Sequence, residues 1–141
     1  MLLTLDSSVF VAALRKGEPA HKECLRLLEQ VADGRHVAVQ PLSVLVEIGA
    51  AIRRRTASRE LASRVVQDLL TFTALEFVEL DLSRAQRALT VAYVTGVRGM
   101  DALVVAVAQE FGTSVVSLDA EMIARSAALV PTAAVNDVLL P

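Results

Sequence analysis

The chain begins with Leu2-Leu3-Thr4-Leu5, a run in which apolar and polar positions do not alternate. A carboxylate and two hydroxyls follow, and then a second apolar run from Val9 to Leu14. A short strand without alternation is buried on both faces, which suits the middle of a parallel sheet. Further strands are predicted at Val37–Val39, Phe77–Leu80 and Val115–Leu118, with a weaker fifth between Val130 and Val135. Between them the pattern shifts to helical spacing. Helices are expected from Ser8 to about Leu14, from Pro19 to about Val31, and from Ser43 through Ile52. Another starts at Ser58, with Leu61, Val65, Val66, Leu69 and Leu70 on its buried side. Three more run from Asp81 or Ser83 to Val94, from Met100 to Phe111, and from Asp119 to Ala128. Ser43 and Ser58 are read as N-caps and Pro19 as a helix opener. Asp33-Gly34, Arg53-Arg54-Arg55, Thr95-Gly96 and Gly112 are read as helix ends. Strands alternate with helices and no two strands are close enough for a tight hairpin. The expectation is one α/β domain over residues 1–141, with a mainly parallel five-stranded sheet and helices on both faces.

Composition refines this picture. Apolar residues make up 54% of the chain but aromatics only 4%, so Leu, Val, Ile and Ala must build the core. Such a surplus of apolar residues also hints at an interface with another subunit or partner. The formal net charge is −2, without the basic signature of a typical nucleic-acid binder. Setting aside four acids that stand out below leaves 14 basic against 12 acidic residues. A mildly basic body around an acidic site is compatible with a metal-assisted enzyme acting on a polyanion. One cysteine excludes a disulfide framework, and Cys24 falls in phase with the apolar stripe of its helix, as a core residue would. Two histidines, His21 and His36, are too few for a histidine-rich zinc site and read as surface residues at element ends. No basic segment leads into an apolar one at the N-terminus, and no apolar run is long enough to span a bilayer. A cytoplasmic location is therefore expected.

The four acids are Asp6, Glu47, Asp101 and Asp119. Asp6 and Asp119 follow predicted strands one and four, where a local role as N-caps would explain each. In an open α/β sheet, ligands bind beyond the carboxyl ends of the strands, near the point where strand order reverses. Glu47 is the only charge between Pro41 and Ile52, and Asp101 the only one between Arg98 and Glu110. Glu47 could lie on a narrow exposed stripe or pair with an arginine, and the helix dipole favours an acid at Asp101. A carboxylate on an otherwise apolar helix is expensive to bury without compensation. Four acids gathered in one place would repel one another, which raises pKa values or calls for a cation. All-oxygen ligands suit Mg²⁺ or Mn²⁺.

Leu5-Asp6-Ser7-Ser8, an isolated Glu47, Arg98-Gly99-Met100-Asp101-Ala102 and Ser117-Leu118-Asp119 together resemble the PIN domain. The small size resembles the VapC-type toxins of bacterial toxin–antitoxin pairs. The resemblance runs from about Met1 to Val135. It implies an Mg²⁺- or Mn²⁺-dependent endoribonuclease in which Asp6, Glu47, Asp101 and Asp119 hold the metal and the attacking water. Ser8 and Ser117 match supporting hydroxyl positions. Glu121 lies near the last acid, and an exposed helix acid explains it equally well. The resemblance also implies a homodimer, an RNA substrate and a small cognate antitoxin that fills the active-site groove. Arg53, Arg54, Arg55 and Arg59 form the best basic cluster, either a solvated helix end or a phosphate-binding rim. Arg98 is a second candidate for phosphate or for an antitoxin acid.

Other acidic α/β proteins fit less well. A receiver domain wants a paired acid after strand one and a lysine after the last strand, yet both lysines precede residue 23. A haloacid-dehalogenase-type phosphatase wants an Asp where Ser8 stands. The remaining rival is a PIN-like module that binds RNA or protein without cutting.

Overall fold

The computed structural model describes residues 1–141. Five strands form one sheet: β1 (Leu2–Leu5), β2 (Val37–Pro41), β3 (Leu75–Val78), β4 (Ser114–Val116) and β5 (Thr132–Ala133). Their order is β3-β2-β1-β4-β5 and every pairing is parallel. The strand without alternation is thus the central one, and Leu3 and Leu5 are fully buried. Thr4 is buried too, its hydroxyl donating to the Val39 carbonyl at 2.8 Å, so the polar atom is satisfied inside the sheet.

Eight helices complete the fold: α1 (Ser7–Ala13), α2 (His21–Ala32), α3 (Leu42–Thr56), α4 (Arg59–Leu69), α5 (Leu82–Thr95), α6 (Gly99–Phe111), α7 (Ala120–Ser126) and α8 (Val135–Val138). The chain steps outward from β1 to β3, then returns to the other side of β1 to lay down β4 and β5. Right-handed crossovers then set α1–α4 on one face and α5–α7 on the other. Strand order reverses between β1 and β4. Leu5 pairs with Val116, and the Asp6 amide donates to the Val116 carbonyl at 3.0 Å. The two strand ends that carry Asp6 and Asp119 therefore lie side by side.

α6 is the central helix, with every residue from Ala102 to Ala108 buried. It packs on α5 and against β1, β2 and β4. Arg84 of α5 grips Glu110 of α6 with two hydrogen bonds, of 2.9 and 3.1 Å. Gly96 and Gly112 end α5 and α6 in the left-handed conformation, at φ 72° and 65°. No single helix is long and apolar enough to cross a membrane.

Several expectations need correction. β3 begins at Leu75, two residues early, because its register is set by pairing with β2, Ala38 opposite Leu75. α3 starts at Leu42 with Pro41 in the cap position, so Ser43 is not the N-cap, and its buried hydroxyl has no partner. α3 also runs through the arginine triplet and ends at Ala57, at φ 53°. Leu61 and Leu70 of the α4 region are exposed, while Ala62 and Leu69 face the core. β5 has only two residues, and α8 is too short for periodicity to reveal. His36 is buried, with 1% exposure, between the Met1 amino group (3.2 Å) and the Gln30 side chain (3.1 Å). Burial and the nearby amino group lower its pKa. Cys24 is buried as expected, and loss of solvent pushes its thiol up to about 11.

Candidate active site

Asp6 stands at the N-cap position of α1 but makes no capping hydrogen bond. Its carboxylate turns instead toward β4. Oδ2 accepts from the Ser8 hydroxyl at 2.8 Å and from the Ser117 hydroxyl at 2.9 Å, while Oδ1 takes no hydrogen bond. The side chain is 6% exposed, so the two hydroxyls do for Oδ2 what water would otherwise do. Each serine is tied in turn to the backbone that follows β4. Ser8 accepts from the Leu118 amide at 3.1 Å, and Ser117 accepts from the Asp119 amide at 3.0 Å. A single hydroxyl, that of Ser117, thus links Asp6 to the backbone of Asp119.

Asp119 does cap its helix. Its Oδ1 accepts from the Glu121 and Met122 amides at 3.0 and 3.1 Å, and Oδ2 is left free. A cap and a ligand role are compatible here, since each uses one oxygen. Glu121 itself is exposed and paired with Arg125 at 2.9 Å, which explains it without a site role.

Glu47 and Asp101 are partly buried on α3 and α6. Burial pushes the Glu47 carboxyl above the usual range; the charges of Asp6 and Asp101 add to this and the Ser7 hydroxyl offsets part of it. Asp101 is raised for the same first reason, then by Asp6 and Asp119, with Arg98 pulling it back. The four acids therefore sense one another's charge across the β1/β4 switch point. They are not drawn into a closed cage: no three His, Cys, Asp or Glu side chains gather tightly enough to enclose an ion. The mutual charge and the looser spacing are consistent, because Coulomb effects reach beyond bonding distance. The donor set fits Mg²⁺ or Mn²⁺, which bind oxygen, use one or two protein carboxylates and fill the rest with water and phosphate. It does not fit a structural zinc site, which encloses the metal with four N or S ligands.

Glu47 and Asp119 open onto a cavity of about 660 Å³ together with Ser7 and Ser8. Farther along its wall stand Arg54 and Arg55. Arg53 and Arg98 are exposed and do not line it. Two lining residues of consequence were not singled out from the sequence: Ser7, and Glu18 in the α1–α2 connection. Nothing in their local sequence distinguishes them, since only the packing of α1 against α3 brings them to the cavity.

A family profile for the PIN domain matches residues 3–128, and the chain belongs to the PIN domain family. Members of the family are typically ribonucleases and generally use divalent metals. The fold is that of VapC-like toxins. VapC20 of Mycobacterium tuberculosis, a toxin that cleaves the sarcin–ricin loop, is 19% identical, with 86% of this chain and 93% of that one covered and a TM-score of 0.72. VapBC2 of Rickettsia felis, solved bound to a promoter DNA fragment, is 16% identical over 95% of this chain and 98% of that one, TM-score 0.68. A toxin–antitoxin complex from Klebsiella pneumoniae is 15% identical over 86% and 90%, TM-score 0.61. No curated protein matches by sequence.

Proposed function

We propose that this chain, acting as a single nuclease domain, is a metal-dependent endoribonuclease and the toxin of a toxin–antitoxin pair. The observation that carries the reading is the gathering of Asp6, Glu47, Asp101 and Asp119 at the β1/β4 switch point, beside a cavity that also holds two arginines. These four carboxylates would hold Mg²⁺ or Mn²⁺, which when bound supplies activation of water and neutralises charge on a phosphodiester. Ser8 and Ser117 orient Asp6 by engaging one oxygen, leaving the other free to bind. The amides that open α7 do the same for Asp119. Arg54 within the cavity, with Arg53 and Arg98 outside it, would draw the RNA backbone to the acids.

The related structure from Klebsiella pneumoniae is a toxin–antitoxin complex, which supports a cognate antitoxin for this chain. An apolar groove lined by Val11, Leu14, Ile52, Leu61 and Val65 shares Val11 and Arg55 with the acidic cavity. One antitoxin segment running along both would shut the site. The rival reading is a non-catalytic PIN-like module that binds RNA or protein without cutting.

Incubating purified protein with total cellular RNA and Mg²⁺, Mn²⁺ or EDTA, beside Asp6→Ala and Asp101→Ala, separates the two. Cuts that need metal and vanish in both variants are expected, and the mapped ends would name the target RNA. A folded protein that binds metal and cuts nothing would be the binding module. Cleavage that survives EDTA or both substitutions would overturn the acidic-site mechanism.

A further inference from the structure

The cavity beside the acids contains an ion pair that serves no obvious purpose in holding the fold. Arg55, at the last turn of α3, reaches across to Glu18 in the α1–α2 connection, Nη1 to Oε1 at 3.3 Å. Glu18 also takes Arg15 at 3.5 Å. Both arginines are exposed and Glu18 is only partly buried, and such pairs contribute little to stability. Arg54 lines the same cavity and makes no hydrogen bond or ion pair. It lies seven residues after Glu47, about 10 Å along the same face of the helix. The helix dipole favours any basic residue in the last turn, which accounts for Arg53 outside the cavity. It does not account for a carboxylate placed opposite Arg55.

A carboxylate and a phosphodiester engage a guanidinium in the same way, by charge-assisted hydrogen bonds from N–H to oxygen. We infer that Arg54 and Arg55 form a subsite for backbone phosphates of the RNA strand flanking the cleavage position, and that Glu18 is a built-in competitor occupying Arg55 until a phosphate displaces it. This rests on the ribonuclease reading above. Glu18 then sets how tightly, and how indiscriminately, the cavity takes RNA. Two free arginines would hold any strand, whereas one free and one occupied favour a strand able to present phosphates at both positions.

The test is binding of a fluorescent single-stranded RNA oligonucleotide to the full chain in EDTA, measured across a salt series. Each phosphate contact on a single strand contributes about 0.7 to the slope of log K against log salt. Arg54→Ala and Arg55→Ala should each weaken binding, by roughly threefold to tenfold at low salt, with Arg54→Ala flattening the slope by about 0.7. Glu18→Gln should tighten binding and steepen the slope by about the same amount, and adding Arg55→Ala should abolish that gain. Arg64→Ala, an exposed arginine of α4 away from the cavity, should leave the slope unchanged. Melting temperatures close to that of the parent would show that the variants are folded. A Glu18→Gln protein that binds like the parent, or an Arg64→Ala protein as impaired as Arg54→Ala, would overturn the subsite. If all variants bind RNA with one slope and still cut it with metal, the subsite fails and the ribonuclease reading stands. If the parent binds no RNA at any salt in EDTA yet cuts it with Mg²⁺, the subsite fails and the ribonuclease reading stands; if it neither binds nor cuts, both fail. If poly-glutamate is bound more tightly by Glu18→Gln while the RNA slopes do not move, the arginines serve an acidic protein segment and the RNA subsite is overturned.

Discussion

Ser117 is the residue on which most of the site's geometry depends, because its one hydroxyl donates to Asp6 and accepts from the Asp119 amide. Outer partners of this kind orient a ligand without touching its metal, and their loss commonly costs about tenfold to a hundredfold in affinity or activity. Ser117→Ala should fold normally, bind Mn²⁺ more weakly by calorimetry and cleave RNA more slowly by roughly that factor. Unchanged affinity and rate would mean that Ser8 alone holds Asp6. The raised carboxyls of Glu47 and Asp101 make a second prediction. Between their ordinary and their raised pKa the folded chain holds more protons than the unfolded one, so stability falls as pH rises through that window. Below about pH 4 both states are protonated and the effect disappears. In EDTA at neutral pH, Glu47→Gln and Asp101→Asn should therefore melt higher than the parent, by roughly 2–4 °C, while losing cleavage. The gap should close on acidification and narrow when Mg²⁺ is added to the parent. Variants that melt lower than the parent would mean that these carboxylates are compensated within the chain.

α3 shows which parts of such a molecule sequence reveals and which it does not. That a helix follows β2 with a lone acid in it was legible from Glu47 standing among Val44, Ile48 and Ala51, all apolar positions at helical spacing. The motifs around Asp6 and Asp119 were legible for a similar reason: a buried strand followed by a carboxylate is a local pattern. What the sequence concealed was set by partners far along the chain. Whether Asp6 caps α1 or faces β4 depends on Ser117, over a hundred residues later. The β3 boundary depends on β2, and the buried face of α4 depends on the helices it meets. His36 reads as an exposed element end until Gln30 and the chain terminus are placed around it. Ala57 marks a local cost that periodicity cannot register. It ends α3 in the left-handed conformation at φ 53°, where a Cβ is unfavourable by about 1–2 kcal/mol. Ala57→Gly relieves that at some cost in unfolded-chain entropy, and should stabilise the protein by up to about 1 kcal/mol, or 2–4 °C in Tm. A lower Tm would mean that the Ala57 side chain contributes packing that outweighs its backbone strain.

At the scale of the whole molecule, the fold divides its surface by function. Strand-order reversal gathers acids and arginines at one end of the sheet, while α5 on the outside carries an apolar line that nothing in the chain covers. Leu82, Leu89 and Tyr93 recur at helical spacing and are 75%, 50% and 80% exposed. Ala88 and Val91 on the other side of the helix are buried toward α6. Scattered exposed leucines are ordinary, but an aligned set that includes the chain's only tyrosine is the kind of surface that a partner buries. The homodimer implied by the family resemblance supplies such a partner, since a two-fold contact lays the same patch against itself. On that argument the parent should sediment as a dimer at micromolar concentration. Leu89→Asp and Tyr93→Asp should sediment as monomers with unchanged circular dichroism, because a charge buried against its own copy leaves two unpaired carboxylates in the interface. Both substitutions lie outside the acidic cavity, so a monomer that still cuts RNA with Mg²⁺ would show that each subunit has a complete site. A parent that sediments as a monomer would leave the α5 face to a different protein.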